Sequence, residues 1–273
     1  MIEGTILLVG SGRMGGALLE GWFKHGLNPV DVIVIEPAGR GAVASCNEHR
    51  ALTVLPHVQD VPSDFHPDII VFAVKPQIAD EIVFEYASFT ASQPVLLSVV
   101  AGKKASYFRH HLGVEAAIVR AMPNTPAMVG KAISILYAAP AVSAVQRRVC
   151  EVLMGAVGKV EWIDDEALMD AVTALSGSGP AYVFLLAECM RDAGIKAGLP
   201  ADLSARLAHA TLSGAGAMLE QEIAEPEVLR KNVTSPGGTT AAAMSILMAE
   251  GGLKKLLEQA VLAAAKRSKE LAD

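Results

Sequence analysis

Cysteine is scarce in this chain. Cys46, Cys150 and Cys189 are the only three in 273 residues, an odd number at wide spacings. They cannot complete a disulfide framework and have no paired zinc spacing, which fits a reducing, cytoplasmic setting. Basic excess is also missing: 23 Lys plus Arg stand against 29 Asp plus Glu, a net charge of −6. A nucleic-acid or anionic-membrane surface would need the opposite balance, so neither partner is expected. No apolar run reaches the roughly 18 residues of a membrane span. Met1-Ile2-Glu3-Gly4 has no basic n-region, apolar h-region or cleavage site, so secretion is not expected either. The seven histidines form no H-E-x-x-H pattern, and no metal is expected. G-x-S-x-G and G-x-x-x-x-G-K-[ST] are absent too, so neither a serine elbow nor a phosphate loop is indicated. What remains is a chain with 52% apolar and 19% charged residues, enough to build a real core.

The two halves differ in pattern. Residues 5–9, 32–35, 69–73, 95–99 and 117–119 are nearly continuous apolar runs, as in parallel strands covered on both faces. Stretches 14–25, 38–49 and 77–86 are long enough for crossover helices. Later strands are expected at 133–137 and 159–163, around a helix at 143–157. This alternation predicts an α/β, Rossmann-type doubly wound sheet over residues 1–163. From 164 to 273 the strand signals stop, and helices are expected over 166–175, 180–197, 201–221, 226–231, 240–250 and 253–271. This half reads as an all-α domain. Its segment 181–187, Ala-Tyr-Val-Phe-Leu-Leu-Ala, has no polar face for two turns. A helix apolar all round must be covered all round, and a partner chain is a natural source of cover.

Five short segments carry the chemistry. Gly10-Ser11-Gly12-Arg13-Met14-Gly15 fits G-x-G-x-x-G, directly after an apolar run and at a helix start. In that context the first glycine permits a tight turn, the second lets the backbone approach a pyrophosphate, and the third allows close helix–strand packing. Glu36 follows Gly15 by 21 residues, where an acid reads a ribose 2′-OH and repels a 2′-phosphate. Arg40 lies four residues further on and could hold that phosphate, so the choice between NAD and NADP stays open. Ala73-Val74-Lys75-Pro76 leaves a strand at the edge where ligands bind in open α/β sheets. In Arg120-Ala121-Met122-Pro123-Asn124-Thr125-Pro126, two prolines fix an extended turn with Asn124 and Thr125 at its tip. Ser176-Gly177-Ser178-Gly179-Pro180 and Ser235-Pro236-Gly237-Gly238-Thr239-Thr240 each precede a helix. They present either a backbone N–H site for a carboxylate or ordinary Ser/Thr caps.

These five blocks, in this order from Gly10 to Thr240, closely resemble the pyrroline-5-carboxylate reductase family. The resemblance implies an N-terminal Rossmann domain and a helical domain that dimerises by interleaving helices. It implies NAD(P)H-dependent reduction of (S)-1-pyrroline-5-carboxylate to L-proline, the last step of proline biosynthesis, by a homodimer or a higher oligomer of dimers. It places residues 10–15 on the cofactor pyrophosphate, and Ala73, Val74, Lys75, Pro76, Met122, Pro123, Asn124 and Thr125 near the nicotinamide half. It places Ser235, Gly237, Gly238 and Thr239 around the substrate carboxylate, with the Thr240 hydroxyl close to the ring nitrogen. One segment departs from the family pattern: Glu36-Pro37-Ala38-Gly39-Arg40 stands where relatives often carry a Ser/Thr-rich loop for a 2′-phosphate. The alternative is a β-hydroxyacid dehydrogenase-type oxidoreductase, which would need a Lys or His to move the alcohol proton. No such group is evident, whereas a protonated cyclic imine is already electrophilic.

Overall fold

In the computed structural model residues 4–44, 48–221 and 224–272 are described. They divide into two compact units, residues 1–177 with 265–273, and residues 178–264.

The first unit is built on eight strands: β1 (Ile6–Val9), β2 (Val32–Ile35), β3 (Thr53–Leu55), β4 (Ile69–Phe72), β5 (Val95–Ser98), β6 (Ala117–Met122), β7 (Ala132–Ala138) and β8 (Gly158–Ile163). Their order across the sheet is β3-β2-β1-β4-β5-β6-β7-β8. All neighbours pair in parallel except β6 with β7, which run antiparallel. The strand order reverses between β1 and β4, and this reversal opens the crevice that dinucleotide folds use. β1, β2, β4 and β5 are buried along their whole length, the fate expected of β-branched runs with no polar alternate. One core lies on each face of the sheet. Leu18, Leu19, Trp22 and Leu153 belong to the first, and Phe72, Tyr86, Phe108 and Ile118 to the second. Trp22 is fully buried and donates its indole N–H to the Leu153 carbonyl at 3.0 Å. Trp162, on β8, lies beneath the Arg147 guanidinium.

Helices α1 (Arg13–Lys24), α2 (Pro76–Ile82), α3 (Ala105–Leu112) and α4 (Ala144–Gly155) flank the sheet, and α5 (Met169–Val172) continues into a π-helical turn at Thr173–Gly177. Two expectations need correction. Among the described residues of 38–49 no crossover helix forms: Gly39 takes a positive φ of 75° and Arg40–Ala42 make a short 3-10 turn, while 45–47 lie outside the described residues. Gly39 and Gly41 explain this, since each glycine costs a helix about 1 kcal/mol relative to Ala. The helix expected over 77–86 ends at Ile82 and passes into a 3-10 helix over Val83–Ser92.

The second unit contains α6 (Gly179–Lys196), α7 (Ala201–Glu220), α8 (Pro226–Asn232), α9 (Thr239–Leu247) and most of α10 (Leu253–Ala272). α6 and α7 cross closely because Gly194 faces Ser204. A Cβ there would collide with the Ser204 Oγ, which instead donates to the Arg191 carbonyl at 2.7 Å. No residue of α6 is buried within the chain, and Phe184 is 61% exposed. Among the described residues no helix is long and apolar enough to cross a membrane.

Candidate active site

The turn after β1 gives each glycine a distinct physical reason. Gly10 has φ +87°, and a Cβ there would lie 2.7 Å from Val74 Cγ1, so only glycine fits between β1 and the segment leaving β4. A Cβ on Gly15 would strike the Gly10 carbonyl, so glycine there lets α1 sit against the strand end. Gly12 differs: nothing lies within 4 Å of where its Cβ would be. It caps α1 without any side-chain hydrogen bond, which leaves the first-turn N–H groups facing open space. A cavity of about 430 Å³ opens there, bordered by Gly10, Gly12, Glu36, Val74 and Lys75, with apolar walls from residues such as Pro56 and Ile78. Its size suits a cofactor site, and the open position above Gly12 fits a dinucleotide pyrophosphate.

Glu36 follows β2 directly and lines the same cavity. Its Oε2 accepts from the Ser11 N–H at 3.2 Å and from the Ser11 hydroxyl at 2.9 Å, and its Oε1 accepts from the Ala38 N–H at 3.2 Å. Arg40 reaches back into its own loop: its guanidinium donates to the carbonyls of Leu52, His49 (3.2 Å) and Arg50 (3.1 Å). Arg13 and Met14 form the first turn of α1. Arg13 is exposed, and Met14 packs against the core. Lys75 is exposed at the N-cap of α2, and Pro76 takes the first helical position.

The turn after β6 is tied down more than the sequence indicates. Met122 and Pro123 are buried. Asn124 accepts from the Ile133 N–H through Oδ1 and donates through Nδ2 to the Ser176 carbonyl, both at 3.1 Å. Its side chain therefore holds the turn against β7 and the π-helical turn, while Thr125 stays exposed. Sequence reasoning missed a second tie. Arg120, 7% exposed on β6, donates to Glu166 at 2.7 Å, and the same carboxylate oxygen accepts the Ala105 N–H at the start of α3 at 2.7 Å. Arg120 within the motif was the available signal, but its partner 46 residues away was not.

In the second unit, Ser235-Pro236-Gly237-Gly238 delivers the chain into α9. Gly237 has φ +71°, Gly238 donates to the Ser235 carbonyl at 3.1 Å, and a Cβ on Gly238 would lie 2.5 Å from Ser235 Oγ. Gly238 is the N-cap, with no side-chain hydrogen bond, and Ser178 likewise makes no capping bond at α6. Ordinary Ser/Thr capping is thus not what these segments do. Thr239 and Thr240 occupy the first turn of α9, with Thr240 half-buried. Among the described residues no group of three His, Cys, Asp or Glu side chains could hold a metal ion. Cys150 offers no reactive thiol, since burial pushes its pKa up to about 12.

Comparison with known proteins decides between the dehydrogenase alternatives. Pyrroline-5-carboxylate reductase of Glycine max is 38% identical over 271 residues, spanning 98% of this chain and 96% of that protein. This chain belongs to the pyrroline-5-carboxylate reductase family. The family's dimerisation model ("Pyrroline-5-carboxylate reductase dimerisation") matches residues 166–271. A second model, described as "NADP oxidoreductase coenzyme F420-dependent", matches residues 5–102. Among solved structures, the reductase of Coxiella burnetii superimposes with a TM-score of 0.91 at 31% identity, over 99% of each chain. The Plasmodium falciparum enzyme, whose structure has NADP bound, gives 0.85 at 30% identity over the full length of both. Family members thus share both the α/β sheet and the helical half described above.

Proposed function

We propose that this chain reduces (S)-1-pyrroline-5-carboxylate to L-proline, using NADPH or NADH, as the last step of proline biosynthesis. The observation that carries this reading is the full-length likeness to the Glycine max reductase, which spans both halves of the chain. A bound reduced dinucleotide supplies the hydride. The residues 10–15 hold its pyrophosphate, and 73–76 with 122–125 border its nicotinamide half. Ser235, Gly237, Gly238 and Thr239 hold the substrate carboxylate at the uncapped start of α9, where backbone N–H groups and the helix dipole favour an anion. The Thr240 hydroxyl orients the ring nitrogen and later exchanges a proton with solvent.

No strong acid is needed for this step. The protonated imine carries its positive charge already, its C=N bond accepts the hydride at carbon, and the nitrogen keeps the proton as the amine. Positioning is then the main contribution.

The division of labour falls near residue 163: 1–163 bind the dinucleotide, and 164–273 bind substrate and dimerise. The exposed girdle of α6, Val183 to Leu186, suits a homodimer face, and dimers of this kind can build a larger assembly. A reducing, cytoplasmic compartment suits the free thiols of Cys150 and Cys189.

The test is direct. Purified chain is mixed with pyrroline-5-carboxylate and either NADPH or NADH, and both nicotinamide oxidation and proline are measured. Proline formed in step with oxidation is expected. Cofactor oxidation without proline, or neither, overturns the reading.

A further inference from the structure

We infer that the cofactor site of this chain favours NADH over NADPH, with Glu36 reading the ribose 2′ position and Ser11 acting as its positioning residue. The inference rests on the dinucleotide reading above and adds to it which ribose is taken.

Three observations carry it. First, Glu36 lines the cavity that opens over Gly12, directly after the end of β2. Its backbone N–H is fixed to the Leu55 carbonyl at 2.9 Å, and the Gly10 N–H donates to the neighbouring Ile35 carbonyl at 2.9 Å, so the acid and the pyrophosphate turn share one frame. Second, the Glu36 carboxylate is held in place by three donors, the Ser11 N–H, the Ser11 hydroxyl and the Ala38 N–H. A carboxylate has about four lone-pair sites, so one remains, on Oε1, for a ribose hydroxyl. A carboxylate fixed at this position repels a phosphate monoester. Third, Arg40, the nearby cation that could answer a 2′-phosphate, is committed to the carbonyls of Leu52, His49 and Arg50. Turning it toward a ligand would strip three carbonyls of their donor.

Two other charges border the cavity. Lys75, at the N-cap of α2, and Glu85 line it together with the His57 imidazole, so the lining contains at least as much acid as base.

The measurement is equilibrium binding to the full chain by calorimetry, with NADH, NADPH, ADP-ribose and 2′-phospho-ADP-ribose as separate probes. Wild type is expected to bind each unphosphorylated probe about ten- to a hundredfold tighter than its phosphorylated partner. Glu36→Gln should close most of that gap by improving the phosphorylated probes. Ser11→Ala should close part of it, with the fold intact by circular dichroism. Arg40→Ala should leave the gap in place. Equal or tighter binding of the phosphorylated probes by wild type overturns the inference, and so does a gap that survives Glu36→Gln. A large loss of phosphorylated-probe affinity in Arg40→Ala also overturns it. Binding of neither nicotinamide cofactor would overturn the dinucleotide reading itself, whereas binding with the wrong preference overturns only this inference.

Discussion

Gly12 and Gly15 are three residues apart in one turn, yet a side chain at each would meet different surroundings. At Gly12 it would enter open space above the helix start; at Gly15 it would strike the Gly10 carbonyl. Gly12→Val is therefore expected to weaken dinucleotide binding by about tenfold or more while the urea midpoint barely moves. Gly15→Ala should do the reverse first, lowering stability by about 1–3 kcal/mol through overpacking. Parallel denaturation and cofactor titration separate the two. Thr240 allows a similar dissection at the other end of the chemistry. Thr240→Val keeps the shape and removes one hydroxyl. A hydrogen bond to a charged group is worth roughly 1.5–3 kcal/mol, or about ten- to a hundredfold in kcat/KM at 1.36 kcal/mol per decade. If that bond tightens as the hydride arrives, kcat falls as well. Steady-state kinetics with pyrroline-5-carboxylate read both, and an unchanged kcat/KM removes Thr240 from the reaction.

Between elements, Glu166 acts as a junction. One carboxylate oxygen serves both Arg120 on β6 and the first N–H of α3. Glu166→Gln leaves a nearly buried guanidinium short of its counter-charge. Because the Glu166 side chain is 25% exposed, water screens part of the loss, and about 1–3 kcal/mol is expected in chemical denaturation. No change in the midpoint would make the pair a bystander. Neither this pair nor the double tie of Asn124 was legible in the sequence, because their partners are distant in the chain. Strands were legible wherever an apolar run had four or more residues and both faces covered, as in β1, β2, β4 and β5. β3 was not, being three residues at the sheet edge with an exposed Thr53. α3 was also overlooked: Ala105, Phe108 and Leu112 do repeat at helical spacing, but over only eight residues. The glycine turns at 10–15 and 235–240 were legible because their demand is local. Glycine is required where φ is positive or where a Cβ has no room, and those needs leave their mark in sequence.

For the whole molecule, the single chain leaves too much apolar surface exposed. Phe184 and Leu185 are 61% and 59% exposed. Patches of this kind mark interaction faces. Phe184→Glu is expected to shift the assembly to monomer in sedimentation velocity and to abolish proline formation, while Rossmann-half cofactor binding survives. A variant that stays associated would move the interface elsewhere. The placement of the indoles then has a practical use. Both tryptophans of the chain, Trp22 and Trp162, fall in the first unit, one sealed beneath the sheet and one under a guanidinium. Their emission is thus a spectroscopic label confined to the dinucleotide half, while far-ultraviolet dichroism weights the helices of the other. Comparing the two signals during melting distinguishes one cooperative transition from two without any dye or engineered reporter.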